Sequence, residues 1–138
     1  MNKVRLQVIT PDRVVFDGEC TMIEYNTTEG FVGVLPGHVA MTQIIAPGTL
    51  TIYEEGKEQT MYAAVMSGIA TIMPDIITIL AEILELPEEI DAERAKQSKE
   101  RAEKRIEEKA ENLNLERAEQ AIKRANARLD TIKVSKIS

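Results

Sequence analysis

The hydrophobic periodicity changes once along the chain, at Pro87, and this limits the fold more than any other feature of its 138 residues. Before Pro87 apolar side chains recur at every second position; after it they recur every three or four. Period two puts alternate side chains on opposite faces of a strand, and spacings of three and four put them on one face of a helix. The first half reads as short β-branched or apolar runs: "VRLQVIT", "CTMIEY", "FVGVL", "MTQII", "TLTIY", "MYAAVMS", "IATIM" and "IITILAEI". Between them stand the turn signals "TTEG", "LPGH", "APG", "EEGK", "SG" and "MPD". Eight or nine strands so punctuated need only tight connections, which predicts an N-terminal antiparallel β-sandwich over residues 1–86.

Residues 87–138 then read as a C-terminal antiparallel two-helix hairpin. Pro87 suits a first helical turn, where its missing N–H would be unpaired anyway. Glu88, Glu89 and Asp91 fall where the helix dipole favours negative charge, and the first helix is expected to run to about Ala110. "ENLN" interrupts the pattern, and Asn114 has the chemistry of an N-cap for a second helix. That helix carries Leu115, Ala118, Ile122, Ala125, Leu129 and Ile132 as a seam, against a thin stripe of Ala95, Ser98, Ala102 and Ile106. Alanine buries little area, so a hairpin packed this thinly can change partners at small cost.

Charge is divided unevenly. Residues 1–87 hold 4 Lys or Arg against 11 Asp or Glu, whereas residues 88–138 hold 13 against 12. From Arg117 to the end there are 6 basic and 2 acidic residues. Arg124 and Arg128 lie four apart and stack on one helix face, with Arg117 two turns earlier and Ala121 between. Like charges at that spacing repel by roughly 0.2–0.5 kcal/mol per pair, so the stripe calls for an anion.

The same composition narrows the class of function. The overall charge of −6 and the absence of interleaved aromatic and basic residues argue against nucleic acid. No apolar run approaches the ~20 residues of a membrane helix, and "MNKVRLQVIT" lacks the apolar core of a signal peptide. The single cysteine, Cys20, excludes an internal disulfide and any cysteine metal cluster, and a cytoplasmic protein is expected. His38 is the only histidine, and it has no second member for a nucleophile or zinc site. No G-x-x-x-x-G-K segment is present, so the chain is not expected to hydrolyse ATP, nor to be an enzyme. The methionines Met22, Met61, Met66 and Met73 read as core filler.

A β-sandwich containing "EGFVGVLPGHV", followed by helices that open with "IDAERA" and close with "RAEQAIKRANAR", resembles the epsilon subunit of bacterial F-type ATP synthases along the whole chain. The resemblance implies a non-catalytic subunit of the central rotor, held peripherally at the cytoplasmic face of the cell membrane. Its sandwich would lie between the gamma subunit and the c-ring. Its hairpin would either fold down on the sandwich or extend toward the catalytic head, restraining ATP hydrolysis in the extended form. ATP would act as a regulatory ligand favouring the folded form, with no catalytic cofactor and no metal site.

Carried across by motif, the implied ATP-binding residues are Glu85, Ile90, Asp91, Arg94, Ala95, Arg101, Arg124 and Arg128. Arginines converging from two antiparallel helices can clamp a polyphosphate through charge-assisted hydrogen bonds, and Asp91 and Glu85 can accept from an adenine amino group or ribose hydroxyls. In the extended form Lys123, Arg124 and Arg128 would instead meet an acidic segment of a catalytic beta subunit. The loops around Glu29, Phe31, Gly37 and His38 are the implied contacts with gamma and the c-ring. The chain departs from the family where an acidic residue often follows "EG": here Phe31 stands, with Glu29 two positions earlier. The competing reading is a β-sandwich adaptor whose hairpin binds an acidic protein partner without nucleotide.

Overall fold

The computed structural model describes residues 2–56, 60–109 and 111–137. The strands are β1 (Val4–Ile9), β2 (Val14–Cys20), β3 (Met22–Thr27), β4 (Gly30–Val34), β5 (Met41–Ile45), β6 (Gly48–Tyr53), β7 (Met61–Ile72) and β8 (Ile76–Glu85). A 3-10 turn at Pro87–Glu89 leads into helix α1 (Ala92–Glu107) and then α2 (Leu115–Ile137). The β-sandwich followed by two helices is thus as expected. Ala110, the expected end of the first helix, lies outside the described residues, as does Lys57 of the "EEGK" turn.

Hydrogen-bonded neighbours run β2-β1-β8-β7-β5-β3-β4, and β6 pairs with both β3 and β7. The strands enclose one core in which Leu6, Val8, Ile23, Tyr25, Leu50, Ile52, Ile72, Ile77 and Ile79 are fully buried. In β1, β3 and the first half of β8 these alternate with less buried residues, as a half-buried sheet requires, whereas in β6 Thr51 between Leu50 and Ile52 is buried too. Tyr25 keeps its hydroxyl satisfied by donating to Gln43.

Three details depart from the period-two reading. β1 and β8 run parallel, from Arg5↔Ile76 to Ile9↔Leu80, while every other pairing is antiparallel. Parallel neighbours need a long crossover, and the remaining strands supply it. β2 has no counterpart among the period-two runs, because Asp17, Gly18 and Glu19 dilute its apolar content. Finally, "SG" is no turn. β7 continues through it as one 12-residue strand, and its register against β8 shifts at Val65–Gly68. A Cβ on Gly68 would stand 2.4 Å from the Leu80 carbonyl oxygen, so only glycine allows the two backbones to approach there.

The linker is built from two local caps. Pro87 occupies the first position of the 3-10 turn, and the Glu89 carboxylate accepts the Leu86 N–H at 2.9 Å. Asp91 caps α1 by accepting the Arg94 N–H at 3.0 Å, so α1 begins at Ala92 and not at Pro87. Asn114 caps α2 as expected, accepting the Arg117 N–H at 3.0 Å.

α1 turns Ala95 and Ala102 inward, with Ser98 and Ile106 half-buried. α2 lies between α1 and the sandwich and buries two faces. Ala125 is buried on the expected seam, whereas Leu115 at its start is 50% exposed. The second face carries Ala127, packed with Ala64 and Met66 of β7, and Thr131, whose hydroxyl donates to the Ala127 carbonyl (2.7 Å) and shares a hydrogen bond with Thr49 of β6 (2.8 Å).

Candidate functional site

Where β8 runs into α1 and α2 crosses above, a cleft of about 330 Å³ opens, lined by Glu85, Glu89, Asp91, Arg94, Ala95, Ser98 and Arg128. Each residue is placed by a different constraint. Glu85 is the last residue of β8, paired with Ala64. Asp91 is fixed by its capping role and Ala95 by burial on the seam. Arg128 sits one position from Ala127, so docking of that alanine on β7 directs the guanidinium toward the end of β8. There Arg128 donates from Nε to Glu85 Oε1 at 2.7 Å and from Nη2 to Glu85 Oε2 at 3.0 Å. Both side chains are less than one-third exposed. A fork-to-fork pair of this kind is directional as well as charged.

Glu89 forms the far wall. Its Oε1 accepts from Arg13 Nη2 at 2.5 Å, and the Arg13 guanidinium together with the Leu86 N–H holds the carboxyl below its ordinary range. The cleft thus has three carboxylates and two guanidiniums on its walls. Such a lining offers acceptors for hydroxyl and amino groups beside donors for anionic oxygens.

Five of the eight residues implied by the nucleotide motif meet here: Glu85, Asp91, Arg94, Ala95 and Arg128. Ile90 lies just behind, packed on the Ala64–Met66–Ala127 cluster. Arg101 instead lines a second cavity of about 450 Å³ near the hairpin turn, with Arg105 and Arg117; Ser98 borders both cavities. Arg124 faces a third, a groove of about 840 Å³ between α2 and the sandwich that Lys123 and Phe31 also line. The four arginines do not therefore form one rim. Nor is the stripe wholly unpaired, since Glu85, 43 residues away, already neutralises Arg128.

The loop residues are placed separately. Glu29 sits in the tight β3–β4 turn with its N–H on Thr27 Oγ1 (3.2 Å), and Phe31 follows at 62% exposure. Gly37 takes φ +80° in the β4–β5 connection, a conformation that favours glycine. His38 donates its Nδ1–H to the Val39 carbonyl at 2.8 Å. Leu35 and Val39 stand exposed in the same connection. Not anticipated is a row across four strands: Ile44 pairs with Ile69, Ile69 with Leu80, and Leu80 with Ile9. Ile44, Ile69 and Leu80 are all exposed, giving the outer sheet face a continuous apolar strip. The cross-strand register that aligns them is invisible in local periodicity.

Among the described residues no group of three or more His, Cys, Asp or Glu can hold a metal ion, and no helix is long and apolar enough to cross a membrane. A β-sandwich with an apolar outer strip, joined through a charged cleft to a thinly docked helical hairpin, defines a class of two-part protein, an all-β domain with an α-helical appendage. Comparison with known proteins makes the class specific. Residues 3–87 match the β-sandwich domain of the ATP synthase delta/epsilon chain, and residues 88–133 match its long α-helix domain. The chain is 41% identical over 133 residues to the ATP synthase epsilon chain of Brevibacillus brevis, covering 96% of this chain and 100% of that one. Against the epsilon chain of Halalkalibacterium halodurans it is 42% identical over 132 residues, covering 94% and 97%. A chain in the cryo-EM structure of the Euglena gracilis mitochondrial ATP synthase shares the fold, with a TM-score of 0.81 at 24% identity over 94% of this chain and 81% of that one. The chain belongs to the ATP synthase delta/epsilon family, with the bacterial-type epsilon chains, and is a non-catalytic central-stalk subunit.

Proposed function

We propose that the hairpin is an ATP-sensitive switch, folded on the sandwich when nucleotide occupies the cleft and extended when it does not. The observation that carries this reading is the convergence of Glu85, Asp91, Arg94, Ala95 and Arg128 on one cleft of about 330 Å³, within the size range of small-ligand sites. Asp91 and Glu85 accept from the base or ribose, and Arg94 and Arg128 donate to phosphate oxygens. A phosphate chain directed past Ser98 approaches Arg101, and Arg124 joins only by turning its side chain from the neighbouring groove.

The folded state is held weakly enough to be a switch. α2 docks through Ala127, the Thr131–Thr49 hydrogen bond and the Arg128–Glu85 pair. A ligand bridging α1, α2 and β8 binds the folded form alone and shifts the population by its differential affinity. In the extended form Lys123, Arg124 and Arg128 are released to an acidic segment of a catalytic beta subunit.

The sandwich is the stalk anchor. The Ile9–Leu80–Ile69–Ile44 strip is the proposed gamma-facing surface, since an exposed apolar row of this extent marks an interface. The loops bearing Glu29, Phe31, Gly37 and His38 are the proposed c-ring contacts, with Phe31 as an aromatic anchor. In this arrangement the subunit sits peripherally at the cytoplasmic face of the membrane. Fluorophores placed on α2 and on the sandwich test the switch: ATP is expected to shorten their mean separation and AMP to do so less. A separation unchanged by millimolar ATP contradicts it.

A further inference from the structure

The Arg13–Glu89 pair joins two tight turns that lie 76 residues apart in sequence. One is the β1–β2 turn "TPDR". There the Thr10 N–H donates to the Arg13 carbonyl (2.9 Å), and Thr10 Oγ1 accepts the N–H groups of Asp12 (3.2 Å) and Arg13 (3.1 Å). The other is the 3-10 turn at Pro87–Glu89, closed by Glu89 N–H to the Leu86 carbonyl (2.9 Å) and Ile90 N–H to the Pro87 carbonyl (3.2 Å). Both backbones are therefore fixed before the side chains meet. The Glu89 Oε1 that receives Arg13 also receives the Leu86 N–H, the amide of the first linker residue after β8. Through that oxygen a turn of the sandwich is tied to the linker between β8 and α1, and the carboxylate wall of the cleft is set.

We propose that Arg13 is a positioning residue: by holding Glu89 it locks the Leu86–Ile90 pivot, and so sets how readily the hairpin leaves the sandwich and how the cleft is shaped. Asp91 and Ile90 follow directly on the locked turn, so the helix cap and the packing behind the cleft inherit its geometry. The effects on hairpin release and on nucleotide rest on the proposed ATP-sensitive switch; the locking of the Leu86–Ile90 linker does not.

Amide hydrogen exchange of the full chain without nucleotide tests the lock. Arg13→Gln is expected to speed exchange at Leu86 and Ile90 by about two- to five-fold, the range of an exposed ion pair, while core amides in β3 and β7 stay as in wild type. Glu89→Gln should do the same or more, and the double variant no more than Glu89→Gln alone. Arg13→Lys should restore part of the protection, because the charge is kept but the directional guanidinium N–H is replaced by an ammonium. Wild-type exchange at the pivot in Arg13→Gln overturns the proposal. So do additive effects in the double variant, or equal acceleration in the β3 and β7 core. ATP titration of the same variants then separates the two ideas: if wild type binds no ATP the switch reading fails, while the exchange result still decides the lock.

Discussion

Arg128 on α2 and Glu85 at the end of β8 form a two-pronged ion pair, Nε to Oε1 at 2.7 Å and Nη2 to Oε2 at 3.0 Å. This contact shows what an unbalanced arginine stripe meets in the folded hairpin. It also means that an incoming phosphate would exchange one charged partner of Arg128 for another. Glu85→Ala is expected to loosen docking of α2 by about 1–3 kcal/mol, because a partly buried guanidinium loses its acceptor. Urea titration followed by helical circular dichroism reads this as a lower midpoint for the helices. An unchanged midpoint would mean that the pair adds nothing to docking.

Gly68 sits where β7 slips against β8. A Cβ there would meet the Leu80 carbonyl oxygen at 2.4 Å and the Ala81 Cα at 3.1 Å, both backbone atoms with little room to move. Gly68→Ala should therefore destabilise the sandwich by about 1–3 kcal/mol, the usual cost of overpacking. Thermal unfolding would show a lower Tm, and a Tm equal to wild type would contradict the close approach.

The Glu89 carboxyl is held below its ordinary value by Arg13 first and the Leu86 N–H second. A carboxylate so depressed contributes stability that is present above its unfolded-state pKa and is lost as pH falls through the folded value. Protection of the Leu86 amide should persist at neutral pH and decline once the pH falls below the ordinary carboxylate range. In Glu89→Gln the additional loss at low pH should disappear. Matching profiles for wild type and Glu89→Gln would count against a role for this carboxyl.

The change of period at Pro87 predicts that residues 1–86 form a domain of their own. The main core lies wholly within β1–β8; removing α2 uncovers the Ala64–Met66 patch of β7 and takes Thr131 from Thr49 of β6. A chain of residues 1–86 should fold as an all-β domain, with a β-type circular dichroism spectrum and cooperative melting. An unfolded chain, or substantial helix content, contradicts the division.

Local chemistry was legible where it acted locally. The strand runs, the turn at "TTEG", the Asn114 cap and the α1 stripe of Ala95 and Ala102 follow from spacing and residue type. Apart from β2, whose apolar run is diluted by Asp17, Gly18 and Glu19, what escaped depends on elements remote in sequence. The parallel β1–β8 seam, the Ile44–Ile69–Leu80 strip and the second buried face of α2 at Ala127 and Thr131 are set by register and docking. The candidate site was readable as a motif, but its geometry was not. The motif implied four arginines converging from two helices, whereas docking of Ala127 turns Arg128 to Glu85, leaves Arg124 at the groove beside Phe31, and leaves Arg101 at the hairpin turn.

In the proposed switch the cleft binds ATP and thereby holds the hairpin down. Isothermal calorimetry of the full chain tests it most directly, with wild type, Arg128→Ala and Asp91→Ala titrated with ATP. Loss of a charge-assisted hydrogen bond costs on the order of 10- to 150-fold in affinity. Because Arg128 gives up Glu85 to receive a phosphate, its substitution should fall near the lower end, at about 10-fold. Helix content should be intact, since alanine is the better helix former. Asp91→Ala should also weaken ATP, and GTP should bind less well than ATP to wild type if an adenine amino group is read. Saturable heat with wild type that weakens in both variants is the expected result. No binding by wild type at millimolar ATP, or equal affinity in Arg128→Ala, would contradict the account.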